Sequence, residues 1–352
     1  MSCSMEVDDD VDLALMIDTL GELKRQDVLQ NSPIIRNIVA WSSSAGPRKE
    51  YYVGEGAMPP HVLKEIQKKL RTGYWMCKFA FYGAENVVLE RFAATKELVN
   101  KRAPKARLRG DLHVGIGDAG VEAASIPAAQ GGGGMAGVPD MWTLRVADFR
   151  AADNPNGVGG HCDFSPILPA RGRDVVDWYK AAKEIITSEG FDSYVGAVLY
   201  DRSFVMIHML LYDKDIPENR EKLDRLFVKL FAEAKKRGLS KYRSHLNHMD
   251  AVADTYDFND HAYRRFVEGL KSAKGVSQLK IAVPSKLLEP LMANCFSLLG
   301  CVRYHLYVGK QILELKSLAV NPQNLFHPLV RFKIGIAHLK RMAPWNLAGI
   351  TW

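Results

Sequence analysis

Two short stretches hold the side chains with most chemical capacity. Gly160-His161-Cys162-Asp163-Phe164-Ser165-Pro166 sets a histidine between glycines and an extended apolar-Ser-Pro segment. Tyr242-Arg243-Ser244-His245 sets a phenol, a guanidinium and a second imidazole just before a helical pattern. Gly157, Gly159 and Gly160 let the backbone near His161 approach a ligand closely. An imidazole there can be a metal ligand, a base or a covalent anchor for a cofactor, or simply a strand-start histidine bonded to backbone. A phenol and a fixed cation converging on one oxygen stabilise an oxyanion such as a phenolate, more so where water is excluded. The plainer alternative has Tyr242 packed and Arg243 paired with a surface carboxylate. His245, His248 and Asp250 have the spacing of one helix face. No further ligand clusters with them, so polar residues on a partly buried helix are the simpler reading than a metal site. No Ser-His-Asp order, phosphate loop or dinucleotide fingerprint stands out. Any chemistry therefore falls to a bound organic cofactor.

The elements that must position these groups are legible from periodicity. Val11 to Arg25 repeats Leu13, Met16, Leu20 and Leu23 at helical steps behind a run of aspartates. Ile34 to Trp41 reads as a buried strand. His61 to Arg71 reads as a helix with Val62, Leu63, Ile66 and Leu70 on one face. Trp75, Cys77, Phe79 and Phe81 alternate as in a strand, followed by a helix from Glu85 to Lys101 and a short strand near Arg107. Gly110 to Pro139, with its run Gly131 to Gly134, reads as a mobile surface insertion or a loop over the site. The pattern then repeats. A strand from His161 leads into a helix from Arg173 to Glu189, and Tyr194–Tyr200 pairs with Phe204–Tyr212. Pro217 opens a helix that Gly238 closes. Leu246 to Leu270 looks helical, with a turn over 254–261 in which Asn259 or Asp260 would be a cap. Two β-α-β units plus a hairpin predict an α+β fold, an antiparallel sheet with helices packed on one side.

The chain has 352 residues, 47% hydrophobic and 25% charged, enough for a sizeable core. Its net charge of +7 is densest at Lys101, Arg102, Lys105, Arg107 and Arg109. That run lacks aromatic interleaving and reads as solvated surface, so no nucleic-acid partner is expected. The five cysteines, Cys3, Cys77, Cys162, Cys295 and Cys301, have no CxxC spacing and read as reduced thiols. The acidic N-terminus is no signal peptide, and Pro290 to Val302 is too short to cross a bilayer. No membrane contact is expected. The expected location is the cytoplasm, with the peroxisome as the alternative.

Several segments, in order, resemble one known family. They are Leu29-Gln30-Asn31 with Pro33 and Ile34-Ile35-Arg36; Asn156-Gly157 followed by Gly160-His161 and Phe164-Ser165-Pro166; Tyr242-Arg243-Ser244-His245 with Met249-Asp250; and Tyr256-Asp257-Phe258-Asn259 leading to Arg265-Phe266. Together they resemble the C-terminal substrate or cap domain of the vanillyl-alcohol oxidase and p-cresol methylhydroxylase flavoproteins, over roughly residues 11 to 273.

That resemblance implies FAD as cofactor, with His161 matching the histidine that bonds covalently to its 8α carbon. It implies that Tyr242 and Arg243 bind the phenolic oxygen of a small 4-substituted phenol and favour its phenolate. Ile207 falls where the family lines its substrate cavity. The implied reaction is hydride transfer from the benzylic carbon to flavin N5, giving a quinone methide that water then attacks, with oxygen reoxidising the flavin. Association into a homo-oligomer is a further family trait, although no interface is readable.

Three features depart from the family pattern. Its N-terminal FAD-binding domain does not precede residue 1, which implies a truncated form. Asp163 stands in place of an aromatic pocket residue, changing substrate choice or setting a carboxylate near the ring. Lys274-Gly275-Val276-Ser277 replaces the family's closing pattern. The expected division is thus a cap domain over 1–273, with the 110–139 insertion, and a divergent tail over 274–352, which an altered reading frame or a retained intron would explain. Two alternatives stay open: a non-catalytic cap fragment without flavin, and an FAD-linked 2-hydroxy-acid dehydrogenase in which Arg243 clamps a carboxylate.

Overall fold

A computed structural model describes residues 1–115, 121, 133–136, 159–245 and 248–272. Most of the expected insertion at 110–139 and the tail at 274–352 lie outside the described residues. Met1–Gly269 forms one compact unit.

Asp9 starts the first helix, Asp10–Arg25 (α1), by accepting bonds from the amides of Val11 and Asp12 at 2.9 and 2.8 Å. Asp10 and Asp12 in its first turn and Lys24 and Arg25 in its last complement the helix dipole. Leu13, Met16, Ile17, Leu20 and Leu23 are buried. They pack on a sheet whose strands include Ser2–Val7 (β1), Ile34–Asn37 (β2), Trp75–Ala80 (β3) and Arg107–Asp111 (β4). The sheet is completed by Gly159–Phe164 (β5), Ile167–Pro169 (β6), Tyr194–Leu199 (β7) and Ser203–Asp213 (β8). All pairings are antiparallel, in the order β4-β1-β3-β2-β7-β8-β5, with β6 beside β8.

Helices Glu85–Arg102, Gly172–Ser188 and Glu218–Lys236 (α4, α5 and α6, after α2 and α3 below) share the core with α1. Gly172 opens α5 hard against α1: a Cβ there would collide with the backbone of Ala14, and its amide donates to Asp18 at 2.7 Å. This is the expected α+β arrangement, and a smaller cluster adds to it on the opposite face. There Ile38–Ala45 (α2) and Pro60–Leu70 (α3) bury Ile38, Val39, Val62, Leu63 and Ile66 with Tyr194, against half-buried Met209 and Leu211.

The strand expected over Ile34 to Trp41 ends at Asn37 and becomes helix. Buried Asn37 is the reason. Its Oδ1 accepts from the amides of Ala40 and Val195, each at 3.0 Å, and its Nδ2 donates to the Ser193 carbonyl at 2.6 Å. One side chain thus caps α2 and ties β2 to the start of β7. A short apolar run has no period that separates strand from buried helix.

The helical stretch expected from Leu246 to Leu270 is two helices, Met249–Asp254 (α7) and Phe258–Ser272 (α8). Asn259, Asp260 and His261 hold positive φ of 49, 54 and 56°. Neither Asn259 nor Asp260 caps the helix as expected; the Asp260 carboxylate accepts from Arg265 at 3.0 Å. Short polar side chains tolerate this left-handed backbone. The basic run lies among carboxylates: Arg107 meets Asp8 at 2.6 Å, Lys105 meets Asp12 at 3.6 Å and Arg102 meets Glu22 at 3.8 Å. No helix among the described residues is long and apolar enough to cross a membrane.

Candidate functional site

β5 is an edge strand, and its alternation sorts its side chains. Phe164 points into the helical core against Trp178, Phe227 and Phe231, and Cys162 packs on that side too. Burial pushes the Cys162 thiol up to about 12, so it stays a thiol. His161 and Asp163 therefore face the other way. His161 sits opposite Leu211 and Asp163 opposite Met209 on β8. His161 is exposed.

Along β8, Phe204, Met206, His208 and Leu210 are buried on the core side, leaving Val205, Ile207, Met209 and Leu211 half-buried on the site face. The register places Ile207 opposite Gly196, and Gly196 opposite Arg36. Gly196 carries no side chain, and a Cβ there would meet only the Tyr194 ring at 3.7 Å. The row from Arg36 to Ile207 is therefore low and apolar at its centre, with a cation at one end.

Tyr242 reaches this face through backbone pairing. Pro166 bridges Lys241 in antiparallel fashion, the Ile167 amide donates to Ser240 at 3.0 Å, and the Tyr242 amide donates to Ser165 at 3.3 Å. Segment 240–242 thus continues the sheet beyond β5. The pairing sets Tyr242 opposite Ser165, and opposed residues share a face. The Ser165 hydroxyl donates to the Asp163 carboxylate, which fixes that face as the one carrying Asp163 and His161. Tyr242 is 46% exposed, and the Arg243 guanidinium lies 5.5 Å from the centroid of its ring. Of the five residues singled out in the sequence, His161, Asp163, Ile207 and Tyr242 lie on one sheet face, with Arg243 over Tyr242.

Lys241 was not singled out from sequence. It is 2% exposed, and its Nζ donates to the Asp163 carbonyl at 2.7 Å. The ammonium lies 5.4 and 5.1 Å from the ring centroids of Phe164 and Phe227. Burial lowers its pKa, opposed by the nearby Asp163 carboxylate. Nothing in a lysine between Ser240 and Tyr242 announces burial; only its opposite facing to Tyr242 in an extended segment would have hinted at it.

His245 and His248 do not assemble a metal site. Their ring centroids are 6.2 Å apart, and His248 stacks on Phe227 at 4.4 Å. Burial first, then the Lys241 charge, holds both imidazoles below their usual range. Among the described residues no group of three or more ligating side chains is gathered for a metal.

No protein-family profile matches the chain. The flavoprotein subunit of 4-cresol dehydrogenase (hydroxylating) from Pseudomonas putida is 26% identical over 266 residues, 74% of this chain and 48% of that protein. Solved structures share the fold. 4-Ethylphenol oxidase from Gulosibacter chungangensis, in complex with isoeugenol, superposes with a TM-score of 0.67 at 23% identity, covering 77% of this chain and 50% of its own. Substrate-bound p-cresol methylhydroxylase gives 0.66 at 23% identity, covering 77% and 49%. The chain spans about half the length of the relatives it matches.

Proposed function

We propose, from the similarity of this chain to the vanillyl-alcohol oxidase and p-cresol methylhydroxylase group, that it forms the substrate-side cap of an FAD-dependent oxidoreductase acting on 4-substituted phenols. The observation that carries this reading is the pairing of Tyr242 with Ser165, which gathers Tyr242, Asp163 and His161 on one face of the sheet beside Ile207.

In this reading Tyr242 donates its phenolic proton to the substrate oxygen and Arg243 supplies the positive charge. Charge-assisted bonds of this kind hold the substrate as a phenolate and push electron density into its ring. Ile207 and the open position at Gly196 receive the ring, and apolar walls strengthen the interaction by excluding water. Asp163, held by Ser165, sits where it can take a proton from water or repel a second anion. His161, exposed on the edge strand, is the residue that would hold the flavin covalently. The flavin, when bound, accepts the hydride. The nucleotide end of FAD would be held by groups outside this chain's site face.

The test is binding of 4-hydroxybenzaldehyde, whose phenolate absorbs separately from its neutral form, to the full chain and to Tyr242→Phe and Arg243→Met. The reading expects the bound ligand to ionise at lower pH than free ligand, and each substitution to weaken binding by at least about 10-fold, as for a lost bond to a charged partner. Equal affinity in all three proteins would overturn it. Tight binding of lactate that depends on Arg243 would favour a 2-hydroxy-acid dehydrogenase instead.

A further inference from the structure

We propose that Lys241 is a positioning residue for the Tyr242–Arg243 pair: by occupying the Asp163 carbonyl it ends the edge pairing at Tyr242 and keeps Arg243 off the core side of the sheet.

The register makes the alternative definite. With Pro166 opposite Lys241 and Tyr242 bonded to Ser165, continued antiparallel pairing would set Arg243 opposite Phe164 and bring the Ser244 amide to the Asp163 carbonyl. Arg243 would then share the face of Phe164, which is fully buried among Trp178, Phe227 and Phe231. Its guanidinium would there compete for the place beside the Phe164 and Phe227 rings that the Lys241 ammonium fills. The Asp163 carbonyl instead accepts from Lys241 Nζ at 2.7 Å. The lysine side chain runs back along the edge on the core side, and its ammonium sits by the faces of Phe164 and Phe227.

The position that would extend the ladder is therefore filled by a side chain of the same segment. The backbone leaves β5 at Arg243, and the guanidinium comes to lie over Tyr242. The charged and titratable groups nearest the ammonium are Asp163 and Cys162 on β5 and the imidazoles of His245 and His248 in the segment that departs. The inference rests on the phenol-binding reading of Tyr242 and Arg243 for its functional consequence, but not for its structural one.

The experiment compares the full chain with Lys241→Met and Lys241→Arg. Amide hydrogen exchange at Ser244 reads the ladder directly. Methionine is expected to protect Ser244, because the Asp163 carbonyl becomes available to it, whereas arginine keeps Ser244 as in the native chain. Affinity for 4-hydroxybenzaldehyde is expected to fall at least about 10-fold in Lys241→Met and to recover in Lys241→Arg, the size of one bond to a charged group. Unchanged Ser244 exchange in Lys241→Met overturns the proposal. If the native chain binds no phenol, the phenol reading fails while Ser244 exchange still decides the role of Lys241. Should the methionine variant not fold, the native chain suffices. A slowly exchanging Nζ signal coupled across the hydrogen bond to the Asp163 carbonyl carbon supports the proposal, and its absence overturns it.

Discussion

His208 should make the stability of this protein depend on pH in a calculable way. It lies fully buried on β8, accepts from Trp178 Nε1 at 2.9 Å through Nε2, and its Nδ1 has no partner. Burial pushes its pKa from 6.5 down to about 3. Folded His208 therefore stays neutral across the range where the unfolded imidazole binds a proton. The unfolded state holds more protons between these two values, so stability rises with pH there. Going down from pH 7 to pH 5 should cost about 2 kcal/mol through this one group, and the loss levels off below about pH 3. The substitution His208→Gln keeps an acceptor for Trp178 and removes the titration. Urea unfolding followed by tryptophan fluorescence at both pH values, for both proteins, isolates the term. His245 and His248 titrate in both and cancel in the comparison. A native chain and a variant that lose the same stability between pH 7 and pH 5 would refute a buried neutral His208.

Asn37→Ala removes three hydrogen bonds from a buried junction and should cost about 3 kcal/mol or more, read as a lower midpoint in urea with an unchanged slope. Gly172→Ala should destabilise by about 1–3 kcal/mol, measured the same way, because its methyl has only the Ala14 backbone to displace. Arg48 bonds Asp192 at 2.7 Å and the carbonyls of Tyr52, Gly54 and Gly56 at 3.4, 3.3 and 2.5 Å. Arg48→Met should open the 52–58 segment to limited proteolysis while leaving the main unfolding transition in place.

The elements legible in the sequence were those whose burial is one-sided. α1, α5 and α6 show their buried stripes at helical spacing, and along β8 fully buried residues on the core side alternate with half-buried ones on the other face. Ile34 to Trp41 was not legible, because the apolar residues on either side of Arg36 and Asn37 form runs too short to show a period that separates strand from buried helix. What decides its backbone is a bond from Asn37 to residues far along the chain, at Ser193 and Val195. Residue type announces the capacity of Asn37 to cap a helix, but not that β7 completes its bonding.

The site divides along the same line. His161, Asp163 and Ile207 could be placed on a common face from strand alternation once β5 and β8 were recognised, since register fixes facing with a period of two. Tyr242 could not, because its face depends on one isolated bridge between Pro166 and Lys241. A shift of that bridge by one residue would send Tyr242 to the core side and bring Lys241 to the site. The identity of residue 241 then becomes part of the specification. A lysine reaches both the Asp163 carbonyl and the two rings, so it stabilises this register over the shifted one, in which its ammonium would lose all three contacts. Local sequence supplies the chemistry of the phenol and guanidinium, and a non-local contact of their neighbour selects the side of the sheet on which that chemistry is available.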